Sequence, residues 1–295
     1  MPELPEVETT RRGIAPRAIG NVVAGIDLYD RRLRWPIPEK LGQAFAGRTI
    51  TRIDRRSKYL LFRCEKVRTG HDDIRAGRTT QDVRSDPAVT LLVHLGMTGS
   101  LRWYDKGRAP PRKLHDHVDI RFTDGATLRY HDPRRFGSML PLDDPVADHP
   151  LLAALGPEPF TEDFNATALH RKLKTRSAAI KLALMDNHVV VGVGNIYANE
   201  ALFHAGIRPT RASNRVSRPR LQKLVDAVRM VLSKAIDSGG STLRDYVDGN
   251  GEAGTFQLTH YAYGRAGLPC RICGTTMKAV RQGGRAGAYC PKCQT

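Results

Sequence analysis

Short apolar and β-branched runs, each bounded by polar turns, fill the first half of the chain. Residues 21–28 (NVVAGIDL), 49–54 (TITRID), 58–63 (KYLLFR) and 89–95 (VTLLVHL) predict strands. Residues 119–132 (DIRFTDGATLRYHD) predict a hairpin, because Asp124-Gly125 sits between two alternating runs. Residues 5–17 predict a helix after the opening prolines. Many short antiparallel strands argue for a sandwich or a barrel. Between 66 and 87 the chain is polar with almost no apolar anchor, and predicts a surface insertion joining two strands.

From about residue 161 the period changes. Leu221, Leu224, Val225, Val228, Leu232 and Ile236 recur at spacings of three and four, predicting a helix over 217–240. Ser217 can cap its start and Gly239 can end it. A domain boundary is therefore expected near 145–160. Residues 189–209 (VVVGVGNIYANEALFHAGIRP) place Gly192 and Gly194 before a helical stretch that runs from Asn195 to Gly206. A glycine turn that opens a helix presents N–H groups to an anion. No parallel βαβ unit surrounds it, so it is not a dinucleotide fingerprint. No internal repeat is visible. No apolar run reaches the ~18–20 residues of a membrane span. The acidic opening residues do not form a signal peptide, so the default expectation is a soluble cytosolic protein.

Charge narrows the partner. Lys and Arg total 47 against 30 Asp and Glu, a net +17. That balance predicts attraction to a polyanion, with nucleic acid ahead of an anionic membrane surface. The anion at the Gly192–Gly194 turn would then be a DNA phosphate. Five cysteines are present. Cys64 stands alone in an apolar stretch and is expected to be a buried, reduced thiol. Cys270, Cys273, Cys290 and Cys293 form C-x2-C-x16-C-x2-C, the spacing of a tetrahedral all-thiolate zinc site. Two disulfides are the alternative, which a cytosolic chain disfavours. Four protein ligands close the site, so one Zn²⁺ is expected in a structural role. Gly283-Gly284 between the cysteine pairs suits a hairpin turn, with Lys278, Arg281 and Arg285 nearby. That hairpin is a phosphate grip or simply a solvated basic surface; spacing does not decide between them.

Six motifs follow one another along the chain: PELPEVETTRRG, SKYLLF, HLGMTGSLR, the HDHVD and RYHDPRRFG segments, LMDNHVVVGVGNIYANEALF, and the four-cysteine hairpin. Through them the sequence resembles bacterial formamidopyrimidine-DNA glycosylases over nearly its whole length, residues 66–87 excepted. The resemblance implies an α+β multidomain fold. Residues 1–150 would form a catalytic β-sandwich with an N-terminal helix. Residues 151–262 would form a helical domain with a helix–two-turns–helix element and a lesion loop at 249–264, and 263–295 a zinc β-hairpin finger. It implies a monomer acting on damaged double-stranded DNA in the bacterial cytoplasm, at the nucleoid. The implied activity is bifunctional: excision of 8-oxoguanine and formamidopyrimidines, then strand cleavage by β,δ-elimination.

The same resemblance assigns roles. Pro2, once Met1 is removed, would be the amine nucleophile, with Glu3 as its acid–base neighbour and Glu6 orienting the site or binding water. An α-amine has a pKa near ~7.7–8.0, so a sizeable neutral fraction can attack a sugar carbon, whereas a lysine near ~10.4 needs heavy desolvation to match it. Lys58 would serve β-elimination and the lesion's phosphate. Arg285 would bind flanking phosphates and has been assigned to δ-elimination. Met97, Arg134 and Phe136 would fill the space left by a flipped nucleotide, with Phe136 as a wedge and Arg134 bonding the orphaned base. His115, Arg135, Lys181, Asn195 and Arg176 (or Ser177, counted back from Lys181) would contact DNA. Taken singly, each of these residues has an ordinary core or surface explanation. Two rival readings remain: an endonuclease VIII-type glycosylase preferring oxidised pyrimidines, and a zinc-finger DNA-binding protein without catalysis. The second gives no reason for Pro2, Glu3 and Lys58 to occur together.

Overall fold

The computed structural model describes residues 2–66, 87–239 and 260–295. All but the end residues of the expected insertion at 66–87, and most of the expected 249–264 loop, lie outside the described residues. The chain divides into two compact units: residue 2 with Val7–Ala153, and Glu3–Glu6 with the described residues from Ala154 onward. By contacts, the opening turn Glu3–Glu6 therefore clusters with the second unit.

In the first unit, α1 (Leu4–Ala18) sends Val7, Ile14 and Ala18 into the core. The strands are β1 (Val23–Leu28), β2 (Thr49–Arg56), β3 (Tyr59–Glu65), β4 (Val89–His94), β5 (Ser100–Tyr104), β6 (Asp116–Phe122), β7 (Thr127–His131) and β8 (Ser138–Asp143), with a short α2 (Leu41–Phe45) after β1 and α3 (Pro150–Ala153) at the end. They form two four-stranded sheets, ordered β1-β6-β7-β5 and β2-β3-β4-β8, with every neighbouring pair antiparallel. Two sheets with open edges make a sandwich rather than a barrel. β3 alternates half-buried and buried positions, so Leu60, Phe62 and Cys64 enter the shared core. The β1-β6-β7-β5 sheet sends in Leu101, Trp103, Val118, Ile120, Leu128 and Tyr130.

The expected 119–132 hairpin is present: Asp124 accepts the Ala126 N–H at 2.8 Å, and Gly125 is left-handed at φ 90°. Two strands escaped the sequence. β8 contains Pro141, which cannot donate to a ladder; it is tolerated because β8 is an edge strand paired only with β4. β5 is likewise an edge. Lys58, expected at the head of a strand, instead sits in the tight turn before β3.

The second unit holds α4 (Ala166–Leu173), α5 (Ile180–Leu184), α6 (Asn195–His204) and α7 (Arg218–Asp237). Asn165 caps α4, its Oδ1 accepting the Ala168 N–H at 2.9 Å. α7 buries the predicted stripe from Leu221 to Ile236 and ends before Gly239, which is left-handed. The expected Ser217 cap is not formed: Ser217 occupies the N-cap position in extended geometry, but its hydroxyl makes no capping bond, and Pro219 needs no N–H partner in the first turn. β9 (Lys278–Gln282) and β10 (Arg285–Tyr289) form the hairpin, turning through left-handed Gly283 and Gly284. Met277, Ala288, Cys270 and Cys290 pack with Phe203 of α6 beneath it.

Candidate active site and metal centre

The four C-terminal thiols converge. Their Sγ atoms all lie within 4.8 Å of one another, and none is in a disulfide. An all-sulfur, four-ligand set of this size fits one Zn²⁺ and leaves no open position for chemistry. Gln294 buttresses it: its Oε1 accepts the Cys290 N–H at 2.9 Å, and its Nε2 donates to the Ile207 carbonyl at 2.9 Å. The fifth cysteine, Cys64, is buried, and burial pushes its thiol up to about 12, so it stays protonated.

The opening residues are held, not frayed. Glu6 reaches back so that its Oε2 accepts the Glu3 N–H at 2.8 Å, the reciprocal half of a capping box. Its other oxygen accepts the Tyr197 hydroxyl of α6 at 2.6 Å. Glu3, Leu4 and Glu6 are all buried. The Gly192–Gly194 turn wraps this segment. A Cβ on Gly192 would lie 2.4 Å from the Leu4 Cβ, and one on Gly194 would lie 2.3 Å from the Glu3 carboxyl carbon. The turn expected to face an anion is therefore glycine-rich for a different reason: it must approach Glu3 and Leu4 closely.

At the tip of the finger, Arg285 is exposed beside the glycine turn. The carbonyl of its neighbour Ala286 accepts from Asn195 Nδ2 at 3.0 Å and from Lys181 Nζ at 3.5 Å. Lys181, expected to contact DNA, is fully buried. Burial, helped by the Arg285 charge, brings its ammonium down to about 8. Lys181 and Asn195 thus register the hairpin against α5 and α6. Arg176 pairs with Asp186 at 2.6 Å; burial opposes that carboxylate's charge, yet bonds from Arg176 and His188 hold it at about 2. The alternative position, Ser177, is exposed.

In the first unit, three non-glycine residues among those described adopt left-handed backbone: Ser57 at φ 56°, His115 at 75° and Arg135 at 59°. Strain of this kind collects at functional positions. Two of the three are expected DNA contacts, and the third precedes Lys58. Arg135 pairs with Asp30 at 2.7 Å. A cavity of about 270 Å³ opens here, lined by Tyr29, Arg112, Lys113, His115 and Arg135 among others. Arg134 is exposed and stacks its guanidinium 4.8 Å over the ring of Phe136, which is 43% exposed. Met97 is half-buried in the loop after β4. Large apolar and cationic groups held outward on short loops are suited to entering a duplex.

Sequence profiles of three domains match in order. The formamidopyrimidine-DNA glycosylase N-terminal domain covers residues 1–139, the H2TH domain of the same enzymes 155–247, and the zinc finger found in FPG and IleRS 267–295. The formamidopyrimidine-DNA glycosylase of Hahella chejuensis is 50% identical over 296 residues, and that of Stutzerimonas stutzeri 51% over 294, each match covering all of both chains. The chain belongs to the formamidopyrimidine-DNA glycosylase family. Solved members share its fold. Lactococcus lactis Fpg in complex with abasic-site DNA is 32% identical with TM-score 0.83, covering all of both chains. The Fpg protein of Thermus thermophilus is 37% identical with TM-score 0.80, covering 99% of this chain and 98% of that one.

Three polar residues were not singled out in the sequence. Glu200, buried in α6, accepts the N–H groups of Tyr261, Ala262 and Tyr263 at 2.8, 2.9 and 2.8 Å, fixing the chain as it enters the finger. A carboxylate inside the apolar run NIYANEALF was the available signal, since buried charge demands partners. His94 accepts the Gly96 N–H on Nδ1 at 3.0 Å; burial, with the Lys58 and Arg34 charges, lowers it to about 4 and keeps it neutral. Asp132, at the head of DPRRF, is fully buried.

Proposed function

We propose that this protein excises oxidised purines, 8-oxoguanine and formamidopyrimidines, from double-stranded DNA and then cleaves the strand at the resulting site. The observation that carries the reading is the restraint on the opening turn: Glu6 and Tyr197 fix the Glu3 backbone, and Gly194 leaves room for the Glu3 carboxylate. Chain ends are ordinarily loose, so this investment suits a terminus that performs chemistry.

In the proposed mechanism, removal of Met1 frees the secondary amine of Pro2. The neutral amine attacks C1′ of the flipped nucleotide, forming a C–N bond as the bond to the base breaks, and the sugar ring opens to an iminium. Glu3 gives a proton to the departing ring oxygen. The iminium draws electrons, so loss of a C2′ proton expels the 3′ phosphate. Lys58 assists this β-elimination, and a second elimination releases the 5′ phosphate. Arg285 serves there chiefly by binding phosphate, since a guanidinium is a poor proton donor. Met97, Arg134 and Phe136 occupy the vacated space, and Arg134 meets the orphaned cytosine. His115, Arg135, Asn195 and Arg176 steady the backbone, which positions DNA without reading sequence. For Arg176 this requires exchange of its Asp186 partner. Lys181 acts from beneath, by placing Arg285. The cysteines Cys270, Cys273, Cys290 and Cys293 hold one zinc that keeps the hairpin folded.

We further propose three working parts, residues 1–150, 151–262 and 263–295, in a monomer at the nucleoid in the bacterial cytoplasm. The +17 charge and the bacterial relatives support that placement. No described helix is long and apolar enough to cross a membrane. The test is a borohydride trap on a duplex with 8-oxoguanine opposite cytosine. The expected result is a covalent adduct that peptide mass places on Pro2. Stronger excision of thymine glycol than of 8-oxoguanine would overturn the purine assignment, and an adduct on any other residue would overturn the nucleophile.

A further inference from the structure

One carboxylate in the first unit holds two loops at once. Asp132 is fully buried. Its Oδ1 accepts the Thr98 hydroxyl at 2.7 Å. Its Oδ2 accepts the Gly137 N–H at 2.9 Å and the Tyr130 hydroxyl at 3.2 Å. The Thr98 oxygen in turn accepts the Arg134 N–H at 3.2 Å. A continuous chain of bonds therefore joins the loop carrying Met97 to the loop carrying Arg134 and Phe136. The loops also touch directly: a Cβ on Gly96 would lie 2.5 Å from the Phe136 carbonyl carbon. The Asp132 backbone extends the connection, donating to the His115 carbonyl at 3.0 Å and accepting from His117 Nε2 at 2.7 Å.

An ionised carboxylate only accepts, and all three groups facing this one donate. Tyr130 remains a donor, because burial and the neighbouring Asp132 push its phenol well above the usual range. The Tyr130 hydroxyl can turn instead to the His94 carbonyl at 3.3 Å, but the Thr98 hydroxyl and the Gly137 N–H both rely on Asp132, one on each carboxylate oxygen, so the link between the two loops runs through this side chain.

We propose that Asp132, acting through Thr98, is a positioning residue that makes Met97, Arg134 and Phe136 enter the duplex as one body and so sets how strictly the base opposite the lesion is read. The inference rests on the void-filling roles proposed above for those three side chains. Reading the opposite base requires Arg134 at hydrogen-bond distance from it, whereas a wedge needs only to be inserted. With the loops linked, Phe136 cannot insert unless Arg134 is also seated. With the link cut, the wedge enters with Arg134 misplaced, and wrong partner bases are tolerated.

The test uses the zinc-loaded full chain. Thr98→Val keeps the side-chain shape but removes both the bond to Asp132 and the acceptor for Arg134; Asp132→Asn and Arg134→Ala run beside it. Single-turnover excision of 8-oxoguanine is measured opposite cytosine and opposite adenine. Cleavage of a preformed abasic site in single-stranded DNA, where nothing must be flipped, reports the chemistry alone. The expected result for Thr98→Val is a cytosine-over-adenine ratio reduced roughly fivefold or more, the size of one or two lost hydrogen bonds, with single-strand cleavage retained. A wild-type ratio in Thr98→Val, while Arg134→Ala collapses it, overturns the link and leaves the base-reading role standing. An unchanged ratio in Arg134→Ala overturns the base-reading role and the link together. Equal losses on duplex and single strand in Thr98→Val mean a general structural defect and also overturn the link.

Discussion

Replacing Gly194 by alanine tests the proposed role of Glu3 without touching Glu3. The backbone at Gly194 has φ −83° and ψ −174°, which alanine adopts without strain. The added methyl would lie 2.3 Å from the Glu3 carboxyl carbon and 2.4 Å from its Oε1. Carbon atoms pack at ~3.5 Å or more, so the carboxylate must retreat by roughly 1 Å. A displacement of that size at a reacting group costs on the order of 100-fold, about 2.7 kcal/mol of activation free energy. Gly194 is also the N-cap of α6, and alanine there costs at most about 1 kcal/mol of stability. Single-turnover excision of 8-oxoguanine should therefore fall about 100-fold while affinity for lesion duplex stays near wild type. Combining Gly194→Ala with Glu3→Gln should be scarcely worse than Glu3→Gln alone, because both remove the same carboxylate from its place. Wild-type excision by Gly194→Ala would refute the reasoning: either the methyl is absorbed elsewhere, or the Glu3 carboxylate does not act from this position.

Chelating the zinc should abolish duplex binding in a mobility-shift assay by loosening the hairpin that carries Arg285, while the N-terminal sandwich keeps its strand signal in circular dichroism. Arg285→Ala should lower the slope of log affinity against log salt by about 0.9, one phosphate contact; an unchanged slope would remove Arg285 from the phosphate contacts. The Lys181 ammonium falls from its unfolded value near ~10.4 to about 8 in the folded protein. Between those values the unfolded chain binds more protons, so this group's contribution to stability is complete above ~10.4 and is lost as pH falls towards about 8. Lys181→Met should flatten that dependence in chemical denaturation and raise stability at pH 7, with weaker lesion binding because the Ala286 carbonyl loses a donor.

Local features were legible in the sequence and distant partnerships were not. The apolar run 58–63 announced β3 and Cys64 was expected to be buried beside it, and 3–4 spacing placed Leu221, Leu224 and Val228 on one face of α7. The cysteine spacing announced its metal because both halves of each knuckle are neighbours in sequence. β8 was hidden because Pro141 normally breaks a strand, and only its edge position excuses it. Gly194 was visible as a special residue, but its close neighbour was not: the tight approach is to Glu3, far upstream in the chain. Ser217 was placed correctly at the helix start, but its hydroxyl does not cap. Lys181 read as a DNA-contacting cation, since nothing nearby in sequence reveals that it is buried against Ala286. Asp132 sat in full view within DPRRF, yet its three donors come from Thr98, Tyr130 and Gly137, which only the folded sheet assembles.

The bond between Glu6 and Tyr197 spans 191 residues of chain. A ribosome adding ~5–20 residues per second needs roughly 10–40 s to make that partner after the opening turn emerges. Through that interval the opening turn cannot dock, and it stays within reach of the enzymes that trim nascent chains. Afterwards Glu3, Leu4 and Glu6 are buried. Removal of Met1, which the proposed mechanism requires, has that interval in which to occur before the opening turn docks against Tyr197. An amino-terminal fusion, or slow trimming in a foreign host, would produce a protein that binds zinc and DNA but cannot begin its reaction.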